Sequence, residues 1–152
     1  MLEREPVPAG LLTRFRQKSF EARVYLSKKD LMAKHESLKN HIEALRSAIP
    51  ELKGVLLASN EGLPIAHSIS NGADPNRVAA MAAAASNLGR RITDTMSMAA
   101  LGEVSVQGED GSLFVYSAGT KAVLAVLGPQ GANAGLIHLE SRHIAKAIGE
   151  LF

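Results

Sequence analysis

The chain has 152 residues, 46% of them hydrophobic, which suits one domain with an appendage and is too apolar for a disordered chain. It has no cysteine, which excludes disulfides, thiolate nucleophiles and cysteine metal sites and suits a reducing, cytoplasmic setting. The net charge of +2 hides an imbalance, because residues 1–40 carry about +4 and the remainder about −2.

Residues 1–30 are expected to form a basic N-terminal extension, disordered and then helical, ahead of a compact domain over residues 31–152. Met1 to Gly10 holds Pro6, Pro8 and Gly10 and reads as disordered. Glu3 and Glu5 and the lack of an apolar run set it apart from a secretory signal. No apolar run anywhere approaches the roughly 20 residues of a membrane span. Leu11 to Ile49 contains neither Gly nor Pro and predicts two helices or one bent one. In its second half Leu31, Leu38, Ile42, Leu45 and Ile49 recur at three- and four-residue steps, giving one apolar face. Asp30 is a candidate cap for it, and Pro50 ends it. The first half sets Leu11, Leu12, Phe15, Ala22, Tyr25 and Leu26 on a looser stripe among basic residues. That stretch reads first as a solvated helix face, and second as an arm that touches an acidic partner or an anionic membrane surface.

Gly54 to Ala58 predicts a short apolar strand, Ser59-Asn60-Glu61-Gly62 a turn, and Leu63 to Ile69 a return strand in which Pro64 marks either an edge or the strand's start. Asp74 to Met98 predicts a helix, with Asp74 as cap and Pro75 where a missing N–H does no harm. Val78, Met81, Ala85, Leu88, Ile92 and Met96 make a large apolar stripe, expected to face the sheet. Ala80, Ala83, Asn87 and Arg91 make a small second stripe, expected to admit a second copy of the same helix. The competing reading is that alanine is simply a good helix former. Glu103 to Gln107 alternates strictly, as a strand with one wet face does. Gly108 to Gly111 turns it, Leu113 to Tyr116 returns, and Ala122 to Leu127 is apolar enough for a central strand. Asn133 to Leu151 is a last helix, with Leu136, Ile137, Ile144, Ile148 and Leu151 expected to face inward.

The fold class is therefore α+β: a mainly antiparallel sheet of about five strands with helices on both faces.

The chemistry is sparse. His35, His41, His67, His138 and His143 form no H-E-x-x-H pair, so no metal site is expected. Gly128, Gly131 and Gly135 lack the G-K-[ST] ending of a phosphate loop and read as a strand-to-helix turn. No G-x-S-x-G elbow is present. With two Tyr, four Phe and no binding motif, nucleic acid is not expected as a partner. Arg77, Arg90 and Arg91 on the central helix offer an arginine to a bound nucleotide, but pairing of Arg90 with Asp94 is the preferred reading.

The run Gly54-Val-Leu-Leu-Ala-Ser-Asn-Glu-Gly-Leu-Pro-Ile-Ala66 resembles the opening strand pair of the Roadblock/dynein light chain family. Arg77 to Gly89 is similar to that family's second helix. Val104 to Gly111, Ala122 to Gly128 and Ala132 to Ile137 are similar to its later strands and last helix. The resemblance covers about residues 31–152 and comes nearest the bacterial and archaeal form. It implies a five-stranded antiparallel sheet between one central helix and two terminal helices, a Roadblock-like sandwich of profilin-like layout. It also implies a homodimer, or a heterodimer with a paralogue, joined through central helices and third strands. The family is non-enzymatic, so no catalytic residue, cofactor or metal is assigned. Its members bind small Ras-like GTPases as regulators, or act as scaffolds or motor light chains. The expected interface is Ala80, Ala83, Ala84, Asn87, Arg91, Val104 and Val106. On that reading, glutamate at Ala83 or Ala84 splits the dimer and spares the fold. A small-ligand sensor or an enzyme on the same sandwich is the remaining alternative.

Overall fold

The computed structural model describes the backbone of residues 9–152 and the side chains of residues 18–152. The expected disorder over residues 1–8 and the positions of the Leu11, Leu12 and Phe15 side chains lie outside the described residues. Ala9 and Gly10, expected in that disordered segment, instead open a helix.

The elements are α1 (Ala9–Ala48), β1 (Gly54–Ser59), β2 (Pro64–Ile69), α2 (Pro75–Thr95), β3 (Glu103–Gln107), β4 (Gly111–Ala118), β5 (Ala122–Pro129) and α3 (Ala134–Gly149). Every strand pair is antiparallel, in the order β2-β1-β5-β4-β3. The breaker-free stretch forms one helix, and Asp30 lies inside it rather than capping a second one. The chain divides into two compact units, Met1–Glu36 and Ser37–Phe152.

In the second unit, Leu38, Ile42 and Leu45 of α1, Ile49 just after it, and Ile137, Ile144, Ala145 and Ile148 of α3 cover one face of the sheet. They pack on Val55, Leu57, Phe114, Tyr116, Leu124 and Val126. Each fully buried aliphatic side chain of this kind contributes about 1.5–3 kcal/mol. Leu31, expected on the same apolar face, lies in the first unit and is exposed. Leu136 is also largely outside the core, and Ala145 and Ser141 take up the inward face of α3. β5 is buried along most of its length, as its continuous apolar run requires.

The other sheet face is covered by α2 alone. Asp74 caps it by accepting from Asn76 N at 3.0 Å, and Pro75 follows, as the sequence predicts. The face that packs is Ala79, Ala82, Ala83, Ser86, Gly89 and Thr93. Beneath it lie Leu56, Ala58, Val115, Val123 and Ala125. Small residues on both sides bring helix and sheet close. The expected orientation is therefore reversed: the large stripe does not point at the sheet. Met81, Leu88, Ile92 and Met96 are 62%, 58%, 46% and 67% exposed. Val78 and Ala85, at the rim of that stripe, are half-buried against the sheet.

Arg46 closes the first rim of the sheet. Its Nη1 donates to Ser68 O at 3.3 Å and Ser68 Oγ at 3.0 Å, and its Nη2 to Leu52 O at 3.1 Å and Ser70 Oγ at 3.0 Å. Together with Pro64 at the start of β2, this occupies the edge that would otherwise attract another strand. At the opposite rim β3 is held through the side chain of its first residue, Glu103, which Arg142 of α3 binds.

Candidate functional site

The most unusual surface of the second unit is the outward side of α2 together with β3. A helix packed on its own sheet normally hides its large apolar residues and shows charge. Here Met81, Leu88, Ile92 and Met96 face solvent beside Ala80, Ala84, Asn87 and Arg91, which are also exposed. Large apolar groups left in a contiguous exposed row mark a contact surface.

Of the residues expected at an interface, Ala80, Ala84, Asn87 and Arg91 lie on this outward side and Val106 is 53% exposed on β3. Val104 is half-buried beneath α2. Ala83 is 4% exposed and belongs to the face that packs on the chain's own structure, so it is not available to an outside helix. A β-carbon on Gly62 would stand 3.2 Å from Ala80 Cα and 3.6 Å from Ala83 Cβ, which places the β1–β2 turn against that side. Asn87 Nδ2 reaches Asn60 O of the same turn at 3.5 Å. The Met81 stripe, read from sequence as core, supplies the outward apolar residues that the alanine pattern alone missed.

At the C-terminal end of α2 the chain leaves through Ser97 and Ala99, both at positive φ, 54° and 65°. Non-glycine residues there carry backbone strain of order 1–3 kcal/mol each. Beside this loop is an open cleft of about 450 Å³ lined by Arg90, Thr93, Asp94, Ala100, Leu101, Ser117, Gly119 and Thr120. Arg90 does not form the expected ion pair with Asp94. Ion pairs that do form include Glu103 with Arg142 at 2.7 Å and a 4.0 Å approach of His138 Nε2 to Glu103. Thr93 Oγ1 donates to Arg90 O at 3.0 Å. Arg77 and Arg91 are exposed, so three arginines do not converge on one site.

Below the β3 rim, on the α3 side, sits a polar group that the sequence did not reveal. Tyr116 Oη and His138 Nδ1 share a hydrogen bond of 2.7 Å, and Phe114 meets the His138 ring edge-on at 5.2 Å. Arg142 Nη2 donates to both Glu103 carboxylate oxygens at 2.8 and 2.7 Å. Burial pushes the Tyr116 phenol up to about 12, with the nearby Glu103 charge adding to it. The group fastens the start of β3 to α3. Its hydrogen-bonded partners are 22 and 39 residues apart in the chain, beyond any local motif.

Among the described residues no cluster of three or more His, Cys, Asp or Glu could hold a metal ion. Among them, too, no helix is long and apolar enough to cross a membrane.

Comparison with known proteins fits this geometry. The Roadblock/LC7 domain model matches residues 39–128. An uncharacterized protein of Methanocaldococcus jannaschii is 31% identical over 101 residues, covering 66% of this chain and 88% of that protein. A solved Roadblock/LC7 domain from Streptomyces avermitilis has a TM-score of 0.66 at 26% identity, covering 72% of this chain and 92% of that one. The gliding protein MglB from Thermus thermophilus has a TM-score of 0.69 at 21% identity, covering 78% of this chain and 90% of that one, a likeness of fold. The matched segment takes in the end of α1, all of α2 and the sheet through β5, so the chain belongs to the Roadblock/LC7 domain family.

Proposed function

We propose that the protein is a non-enzymatic dimeric adaptor that binds a small Ras-like GTPase and modulates its nucleotide cycle. The observation that carries this reading is the outward row Met81, Leu88, Ile92 and Met96, set beside β3, which ends the strand order and, among the described residues, has a strand neighbour on one side alone. A second copy, or a paralogue, covers both at once. Two α2 helices pair along their outward sides, and two β3 strands pair edge to edge, which removes an open sheet edge. Ala80, Ala84, Asn87, Arg91 and Val106 then lie in or beside the contact, with Val104 supporting α2 from beneath.

The paired helices make a composite surface that neither copy has alone, and this is where a globular partner docks. Small-residue positions beside exposed methionines suit such a surface, because methionine adapts to a partner's shape. The reaction, on this reading, belongs to the GTPase, and the adaptor acts by favouring one nucleotide state over the other.

The test is to mix the protein with a candidate Ras-like GTPase, loaded with GDP or a GTP analogue, and to measure complex formation and GTP turnover. Binding that depends on the loaded nucleotide, with a changed turnover rate, is the expected result. Binding with unchanged turnover supports a scaffold that joins partners without altering nucleotide chemistry. No binding by either form overturns the reading.

A further inference from the structure

The first unit has a contact surface of its own, carried by the N-terminal part of α1. Phe20, Val24 and Leu31 are 67%, 38% and 64% exposed, and Ser27 between them is exposed as well. Their spacing of four, three and four residues puts all four on one side of the helix, in the a and d pattern of a helix-pairing seam. We propose that this seam is a self-association surface, and that residues 18–31 of two copies pair antiparallel.

The orientation follows from charge. In an antiparallel pair, Phe20 of one copy faces Leu31 of the second, and Val24 faces Ser27 of the second. The two-fold axis repeats each layer. That register sets Arg23 beside Asp30 of the second copy and Glu21 beside Lys28 of the second copy, each twice. All four flanking pairs are then of opposite sign. A parallel in-register pair instead sets Arg23 beside Lys28 of the second copy and stacks Ser27 on itself, so like charges meet and the seam has a gap.

An anionic membrane is the weaker occupant. A helix lying in a membrane surface keeps its apolar residues on one side and its charges opposite. Tyr25, Leu26 and Met32 are also exposed, at 67%, 57% and 74%, and they sit off the seam, on other sides of the helix. Lys28 and Lys29 lie among them.

The inference does not rest on α2 or on any GTPase, and its test is kept separate from both. The chain has no cysteine, so introduced ones report alone. Full-length Phe20→Cys and Leu31→Cys are prepared singly and oxidised, alone and as a mixture. The mixture is expected to give the mixed disulfide dimer in large excess over either single variant. In the antiparallel register, two Phe20 positions stand about 16 Å apart along the axis, too far to bridge. Cross-linking of Phe20→Cys alone at the same rate as the mixture, or no cross-linking at all, overturns the proposal.

A second arm uses light scattering over a concentration series in an Ile92→Glu background, which leaves the α2 face unable to contribute. Arg23→Glu with Lys28→Glu makes all four flanking pairs repulsive and is expected to weaken association at least about tenfold. Adding Glu21→Lys and Asp30→Lys reverses every pair and is expected to restore it. Association that ignores the first pair of changes overturns the proposal. A vesicle arm with anionic lipid decides the other occupant, since tight vesicle binding by arms that do not cross-link also overturns self-pairing.

Discussion

Gly89 of α2 lies so close to Val104 of β3 that a β-carbon built on the glycine would stand 2.8 Å from Val104 Cγ2. Leu101 carbons would be 3.1 and 3.2 Å away. The helix rests on the edge strand at this point, so a larger residue must lift one from the other.

Two effects oppose each other in Gly89→Ala. Replacing a helical glycine gains about 1 kcal/mol of propensity, while crowding Val104 takes a similar amount away. The net change in unfolding free energy is expected to stay within about 1 kcal/mol. Gly89→Leu makes a similar propensity gain but crowds Val104 and Leu101 far more, and is expected to destabilise by about 1–3 kcal/mol net. Urea unfolding of the two variants checks this, and equal stability of Gly89→Leu and the parent would refute the close packing.

Arg46 holds four oxygen acceptors across Leu52, Ser68 and Ser70. Arg46→Met keeps the aliphatic stem and removes the donors. The expected loss is about 1–2 kcal/mol, allowing for partial exposure of the site. A second effect should accompany it: faster amide exchange in β2, because that rim loses its clamp. Denaturant unfolding and hydrogen exchange measure the two.

Tyr116 gives a pH dependence of fixed sign. Its folded pKa is raised to about 12 by burial, above the unfolded value of about 10. Above pH 10 the unfolded chain loses the phenolic proton first. The stabilisation is therefore complete below about pH 10 and is lost as pH rises towards 12. Tyr116→Phe is expected to flatten the stability curve in that window, at the cost of the 2.7 Å bond to His138. Denaturant midpoints between pH 9 and 12, compared for the two proteins, check it.

Ala83 and Ala84 separate two roles that the sequence treated as one. Ala83 is packed in the chain's own structure, so Ala83→Glu buries an unpaired charge and is expected to unfold the domain. Ala84 is exposed beside Met81 and Leu88, so Ala84→Glu is expected to leave the domain cooperatively folded, to weaken self-association and to lower Tm by no more than the lost association accounts for. Calorimetry and light scattering on both variants distinguish the effects. A folded, monomeric Ala83→Glu would return Ala83 to the outer contact.

The sheet was legible because its signals are local. Alternation in Glu103 to Gln107, the apolar run of β5 and the Asp74-Pro75 start of α2 each sit within a few residues. What failed was the facing of α2. The rule that large apolar residues turn inward assumes a wide gap beneath the helix; small Ala58 and Ala125 let the helix sit close to the sheet, and that closeness admits only small residues such as Ala79 and Ala82 between them. The Asp30 cap failed because no breaker stands near it to end a helix. Arg46 and the Tyr116–His138 bond stayed hidden because each joins residues more than 20 positions apart.

The central claim is that a second copy covers the outward side of α2. It is tested by the molar mass, from light scattering, of the chain carrying Arg23→Glu and Lys28→Glu, with and without Ile92→Glu. The account expects twice the 16.1 kDa chain mass without Ile92→Glu, and the single-chain mass with it, both as cooperatively folded domains. A 16.1 kDa species without Ile92→Glu at every concentration, its Met81, Leu88 and Ile92 bare to water, would contradict it.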